Sequence, residues 1–90
     1  MIRLELMMGL DIPNEGTVSP AMFDDFIRTE IGPRLDFATI IDGVGLWKGT
    51  REDCKILVIM AAESDQSMLE SVLRSIGKAY AKAFRQDSVG

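Results

Sequence analysis

The sequence predicts a single α+β domain of the ferredoxin-like type, with the order strand, helix, strand, strand, helix. Residues 2–10 place an apolar residue at every second position, with Arg3 and Glu5 on the opposite side, and two later segments repeat apolar residues at helical spacing. Between those two segments lie stretches rich in β-branched and apolar residues. A chain of 90 residues forms one hydrophobic core, so one domain is predicted over residues 1–90. We expect both helices on one face of an antiparallel sheet.

The opening segment is predicted to be a strand with one strongly apolar face. That face contains Ile2, Leu4, Leu6, Met8 and Leu10. Residues 11–18 include Pro13, Asn14 and Gly16, which favour turns, so this segment is predicted to be a loop.

Both predicted helices have an apolar stripe and a recognisable start. The first begins at Ser19-Pro20, because serine caps free N–H groups and proline fits the first helical position. Gly32-Pro33 ends it. The second helix has a capping-box candidate in Ser67 and Glu70 and continues for about five turns.

Residues 37–47 and 54–62 are predicted to be the two strands of a hairpin, with a polar connection over residues 48–53. Residues 87–90 could begin a fourth strand, so the fourth strand of the ferredoxin-like pattern is expected to be short or missing. The chain has no internal repeat and no interdomain linker.

The helices would cover only one face of the sheet. Leu57, Ile59, Met7 and Trp47 are expected to place apolar groups on the other face. This predicts a homo-oligomer, with a dimer packed sheet face to sheet face favoured and a trimer left open.

Composition excludes several classes of chemistry. The chain contains no histidine and one cysteine, which excludes nucleophile–histidine catalysis and metal sites built on cysteine and histidine. A formal net charge of −4 argues against broad nucleic-acid binding. We therefore predict no catalytic residues, no metal site and no cofactor. The N-terminus resembles no export signal, and no segment approaches the length of a membrane span, so a cytoplasmic protein is expected.

A glycine-rich segment extends from Asp42 to Gly49 but lacks the spacing of a phosphate-binding loop. One interpretation is a strand with a bulge. The other is a ligand-binding edge, where the glycines admit a flat group, Trp47 stacks on it, and Lys48 or Arg51 contacts an anion. Asp42 belongs to the same candidate site.

Arg34 and Tyr80 complete the set of candidate ligand-binding residues. Arg34 follows the first helix and either joins this site or caps the carbonyl groups of the helix. Tyr80, the only tyrosine, lies on the apolar stripe of the second helix, where it is either a core residue or a ligand contact.

Four short motifs occur in order along the chain: Gly9-Leu10, Pro33-Arg34, Asp42-Gly43 followed by Trp47, and Gln86-Asp87-Ser88-Val89. This set resembles a family of small bacterial and phage α+β proteins of unknown function. Gly32 and Leu35 stand where that family usually has threonine and phenylalanine. The resemblance implies the fold and transfers no activity. The tryptophan-lysine-glycine hairpin also looks like trimeric regulators of nitrogen signalling and divalent-ion tolerance, which bind small ligands between subunits.

The sequence is compatible with three functions. The first is a non-catalytic oligomeric module that binds a small anionic ligand or nucleotide between subunits. The second is a phage-type inhibitor that acts on a host protein. The third is a small ferredoxin-like enzyme that uses Tyr80, Cys54 or carboxylates.

Overall fold

The computed structural model describes residues 1–85 of the chain as a mixed α+β domain. The predicted fourth strand over residues 87–90 lies outside the described residues. The strands are β1 (Ile2–Gly9), β2 (Asp11–Ile12), β3 (Gly16–Thr17), β4 (Thr39–Trp47) and β5 (Thr50–Ala61). The helices are α1 (Pro20–Phe26), which continues as a π-helical turn over Ile27–Ile31, and α2 (Gln66–Phe84), which follows a 3-10 turn over Glu63–Asp65.

The main sheet has three strands in the order β1-β5-β4, and both strand pairs are antiparallel. The prediction of an α+β domain with an antiparallel sheet is confirmed. The element order differs from the prediction, because β2 and β3 pair as a second, two-stranded sheet inside the segment predicted to be a loop. Asn14 and Gly16 both have positive φ there and reverse the chain direction.

One hydrophobic core lies between the sheet and the two helices. Its sheet side includes Leu6, Met8, Leu57, Ile59 and Ala61, and its helix side includes Phe23, Phe26, Leu69, Leu73, Ile76 and Tyr80. Both helices therefore pack on the same face of the main sheet.

The prediction that Leu57 and Ile59 face away from the helices is wrong. Leu57 pairs with Leu6 and Ile59 pairs with Leu4, and both side chains are fully buried in the core. Met7 does lie on the open face, opposite Ile56. Residues 56–61 are all apolar, so alternation along β5 could not indicate which residues face the helices.

Helix α1 starts and ends as predicted. Ser19 Oγ accepts a hydrogen bond of 3.1 Å from the backbone N–H of Met22, as an N-cap residue does. At the other end, the N–H of Gly32 donates to the carbonyl oxygen of Ile27 at 2.8 Å. This bond closes the wider π-helical turn, and the helical segment ends at Ile31.

Helix α2 begins differently from the prediction. Its N-cap position is Asp65, no side chain caps it, and Ser67 lies within the first turn, so the capping box of Ser67 and Glu70 is wrong. The Asp65 N–H donates to the Ala62 carbonyl at 3.0 Å, and this 3-10 turn leads the chain into the helix. Among residues 1–85, no helix is long and apolar enough to cross a membrane.

The hairpin between β4 and β5 has a tight turn. Trp47 pairs with Thr50, and the turn consists of Lys48 and Gly49 with φ values of 49° and 81°. Two successive residues with positive φ are typical of a type I′ hairpin. The predicted connection over residues 48–53 is therefore too long, because its polar residues belong to the exposed start of β5. Pairing is continuous from Thr39 to Trp47, so the bulge interpretation is also wrong.

Candidate functional site

Three of the predicted site residues lie at or next to the tip of the β4–β5 hairpin. Trp47 is 73% exposed, and the Nζ atom of Lys48 lies 5.4 Å from the centre of the indole ring. Arg51 lies on β5 opposite Leu46, one residue from the turn pair. The tip thus combines an exposed aromatic ring with two cationic side chains.

Arg34 lies away from this tip. Its Nη1 atom donates hydrogen bonds to the carbonyl oxygen of Glu30 at 2.8 Å and to Oε2 of Glu30 at 3.1 Å. Strand β4 separates Arg34 from Trp47, and nine residues of strand span about 30 Å. Arg34 therefore caps the end of the helical segment, which is the alternative that the sequence left open.

Asp42 lies in the middle of β4, opposite Lys55 of β5, and the two side chains form an ion pair. Lys55 Nζ also lies 5.8 Å from the centre of the Phe23 ring of α1. Lys55 therefore bridges the sheet edge and the first helix. Asp42 itself keeps 82% of its side chain exposed, so its carboxylate is accessible to a ligand.

Tyr80 is a core residue with a specific polar contact. Its ring has edge-to-face geometry with Phe26, at a centroid distance of 5.2 Å, and lies 4.8 Å from Phe84. Its hydroxyl donates a hydrogen bond of 2.5 Å to the carbonyl oxygen of Gly9. Burial, followed by the negative charge of Glu52 and the neighbouring Cys54, raises the pKa of Tyr80 to about 12. Tyr80 thus stays a neutral phenol at physiological pH.

Sequence reasoning missed Glu52. A Cβ atom added at Gly9 would lie 2.8 Å from Oε1 of Glu52, so the carboxylate packs directly over the bare backbone of Gly9. Among residues 1–85, no lysine or arginine forms an ion pair with Glu52. Two signals could have revealed this contact: a glycine that ends an otherwise regular strand, and the adjacent carboxylates of Glu52 and Asp53 in a β-hairpin.

A cleft of about 340 Å³ lies next to this carboxylate, beyond the end of β1 and beside the middle of β4. It is lined by Leu10, Asp42, Gly43, Val44, Asp53 and Cys54. Asp53 gives it negative charge, which favours a cationic ligand, whereas the charge of Asp42 is balanced by its ion pair with Lys55. Burial, followed by Glu52 and Asp53, raises the pKa of Cys54. The thiol is therefore protonated near neutral pH and is a poor nucleophile.

Within the described part of the chain, no group of three or more cysteine, aspartate or glutamate side chains is arranged to hold a metal ion. The chemistry of the cleft thus depends on its carboxylates and on the backbone of Gly43 in its lining.

Comparison with known proteins supports the fold and defines the family. No curated protein matches the chain. A solved structure described as a phage SAM lyase in its apo state has the same fold, with a TM-score of 0.67 at 19% sequence identity. The similarity covers 97% of this chain and 74% of that one. Residues 3–90 match the family described as "Protein of unknown function (DUF3574)", and the chain belongs to this family.

Proposed function

We propose that the protein is a homo-oligomer that binds a nucleoside-type cation of the S-adenosylmethionine class in the cleft beside β4. The observation that supports this most directly is the carboxylate of Asp53 in the cleft lining, with the carboxylate of Glu52 close by and Asp42 paired with Lys55. A sulfonium ion carries a fixed positive charge, which such carboxylates stabilise. The cleft volume of about 340 Å³ lies at the lower end of the range for small-molecule sites.

The solved structure that shares this fold suggests which ligand to test first. That protein is described as a SAM lyase, and its fold matches most of this chain. Fold alone does not define function, so the proposed ligand of this chain depends on the chemistry of its cleft.

The hairpin tip offers contacts for the rest of such a ligand. Leu46 of the tip lies two residues from Val44 of the cleft, about 7 Å along β4, so both point to the same face of the sheet, and Arg51 opposite Leu46 shares that face. Arg51 supplies a cation for a carboxylate or phosphate there, whereas Trp47, with the Lys48 ammonium over its ring, lies towards the opposite face. The anionic group predicted from the sequence would thus bind at the tip, while the cationic centre binds in the cleft.

Calorimetric titration with S-adenosylmethionine and S-adenosylhomocysteine tests the charge argument. The second compound is a neutral thioether, so we expect it to bind about tenfold more weakly or worse. The Asp53→Asn variant should lose most of this preference. Asp65→Asn, at the start of α2 and outside the cleft lining, is the matched control and should keep it. Equal binding of both compounds, or no binding of either, contradicts the proposal.

Cleavage of the bound ligand is a second candidate function. A sulfonium group leaves as a neutral thioether, with the electron pair of the broken C–S bond on sulfur, while the carbon fragment either forms a bond to the ligand's own carboxylate or loses a proton from the adjacent carbon to a carboxylate base and forms a double bond. The reaction therefore needs no acid to protonate the leaving group. This suits a chain without histidine. Mass spectrometry of the incubated ligand would detect a thioether nucleoside if cleavage occurs. Unchanged ligand after prolonged incubation with a binding-competent protein limits the function to binding.

Inhibition of a host protein remains the alternative, supported by the exposed Leu46 and Trp47 at the hairpin tip. A stoichiometric partner in a pull-down, lost in Trp47→Ala, would support it. Loss of ligand binding in the same variant without any partner would argue against it.

We also propose that the fold is a ferredoxin-like unit with a reduced fourth strand. The first and second long strands, β1 and β4, flank the third, β5, and both helices pack on one face. An experimental structure in which β4 pairs with β1 rather than β5 would contradict this assignment.

A further inference from the structure

We propose that the free edge of β4 is the subunit interface, on which a second copy of this chain pairs its own β4 in antiparallel orientation about Gly43. This inference rests on the proposed function only in assuming an oligomer. It goes further by naming the strand, the register and the symmetry.

The two edges of the main sheet differ in how they are protected. Strand β1 carries Arg3 and Glu5, which form an ion pair of 2.8 Å on its exposed side, and charged residues discourage pairing at an edge. Strand β4 is nine residues long, is regularly paired with β5 and has no proline. Its only charged residue is Asp42, which pairs with Lys55 of the same chain. Among residues 1–85, strand β4 is therefore an unprotected edge.

The side chains of β4 are unusually apolar for their exposure. Val44 is 50% exposed, Leu46 is 74% exposed and Trp47 is 73% exposed. Successive residues of a strand point to opposite faces, so Leu46 and Trp47 expose apolar surface on both sides of the sheet. Pairing of another strand on this edge would cover apolar groups on both faces, whereas face-to-face packing of sheets would cover only one.

The sequence of β4 is complementary to itself. A two-fold axis through Gly43, its central residue, pairs the whole of Thr39–Trp47 with the same segment of a second copy. Ile40 then lies opposite Leu46 of the second copy, and Asp42 lies opposite Val44. No two like charges face each other, which is the arrangement that antiparallel pairs favour. Gly43 places no side chain on the axis, which allows the two strands to approach closely.

This pairing also connects the interface with the cleft. Asp42, Gly43 and Val44 line the cleft and lie at the centre of the proposed strand pair. The two clefts of the dimer would therefore adjoin across the two-fold axis. A ligand in one cleft would lie next to residues of the second copy.

Disulfide cross-linking of two variants, each with one added cysteine, tests the register. In the proposed pair, residue 39 of one copy faces residue 47 of the other, so a mixture of Thr39→Cys and Trp47→Cys should form a mixed disulfide. Two copies of residue 39 would lie about 27 Å apart, since eight residues of strand separate the ends. Each variant alone is thus the matched control and should stay uncross-linked. Cys54 is buried, which keeps the native thiol out of the reaction.

Light scattering of the native chain and of Leu46→Glu completes the test. The native chain should have the mass of two copies. The carboxylate introduced by Leu46→Glu would face Arg51 of its own chain, which preserves the hairpin. It would also face Ile40 of the second copy, so the dimer should weaken about tenfold. Leu46→Met is the control and should remain a dimer.

A mass of one or three copies overturns the proposal, as does a mixture that forms no mixed disulfide or single variants that cross-link equally well. None of these measurements involves a ligand. Failure of S-adenosylmethionine to bind would therefore contradict the proposed function and leave the interface standing.

Discussion

The hydroxyl of Tyr80 donates a hydrogen bond of 2.5 Å to the carbonyl oxygen of Gly9, which joins helix α2 to the end of strand β1. The same glycine leaves room for the carboxylate of Glu52. The backbone of Gly9 thus contacts both the buried ring residue Tyr80 and the carboxylate of Glu52 beside the cleft. Changes at Tyr80, Gly9 or Glu52 should therefore affect one another.

Removal of the Tyr80 hydroxyl should destabilise the fold measurably. Tyr80→Phe keeps the ring contacts with Phe26 and Phe84 but leaves the Gly9 carbonyl without its donor. The free energy of unfolding should fall by about 1–2 kcal/mol. Urea denaturation measures this, with Tyr80→Leu as a comparison that also loses the ring and should cost about 3 kcal/mol. Tyr80→Phe with native stability would show that the hydrogen bond contributes nothing net.

Tyr80 should ionise only at high pH, and its ionisation should then destabilise the fold. Burial and Glu52 raise its pKa from about 10 to about 12. The unfolded chain then loses the phenol proton before the folded chain does. The stabilisation of the fold by the neutral phenol of Tyr80 is therefore fully present below pH 10 and is lost as the pH rises towards 12.

The absorbance of the phenolate reports this directly, because the chain has a single tyrosine. Glu52→Gln removes a negative charge and should lower the pKa of Tyr80. Glu63→Gln, in the 3-10 turn, is the control and should leave it unchanged. An identical titration in all three proteins would contradict the proximity of Glu52.

The glycines of the main sheet should respond unequally to alanine. At Gly43 the new Cβ would lie 2.9 Å from Ile56 Cδ1 and 3.2 Å from Cys54 Sγ, so Gly43→Ala should lower the free energy of unfolding by about 1–2 kcal/mol. At Gly45 the nearest atom is 3.7 Å away, which is ordinary contact. Gly45→Ala is therefore the matched control and should keep native stability. Thermal unfolding of both variants gives the comparison, and equal losses would contradict it.

Gly9→Ala should move the Glu52 side chain rather than disrupt the strand. The new Cβ would meet the flexible end of a glutamate at 2.8 Å, so the carboxylate can rotate away at small cost. Stability should change by less than about 1 kcal/mol, while the pKa of Tyr80 should fall as it does in Glu52→Gln. The same phenolate titration measures this. A Tyr80 pKa in Gly9→Ala equal to that of the native chain would mean that the carboxylate keeps its position.

Loss of the helix cap at Ser19 should lower stability without changing ligand affinity. Ser19→Ala removes the side chain that accepts the Met22 N–H bond and should cost about 1 kcal/mol. Ser19→Asp restores an acceptor and should recover most of that stability. Chemical denaturation compares the three proteins, and ligand affinity should be the same in all of them.

The elements whose local residues decide their structure were predicted from the sequence. Ser19-Pro20 starts α1, Gly32 ends it, and the alternation of residues 2–8 distinguishes the two faces of β1. These signals act within one turn of helix or between neighbouring residues of a strand. No distant contact has to form for them to be recognised.

The candidate site was predicted only in part. Trp47 and Lys48 are in contact at the turn, and Arg51 lies one residue pair away, opposite Leu46 and towards the other face of the sheet. Arg34 does not join them, since its position depends on where the chain crosses from α1 into β4. Glu52 was missed because its environment is formed by Gly9, which is remote in sequence and reaches it only through β1–β5 pairing.

Composition and local periodicity suffice to establish the α+β class, the limits of α1, the alternating faces of β1 and the exclusion of histidine chemistry. Packing in three dimensions was needed to establish which face of β5 meets the helices, since an all-apolar strand is equally suited to burial on either side. The same packing brings Tyr80, Gly9 and Glu52 together beside one acidic cleft. Those contacts depend on strand register, which is set by the packing of the whole core and not by any local segment.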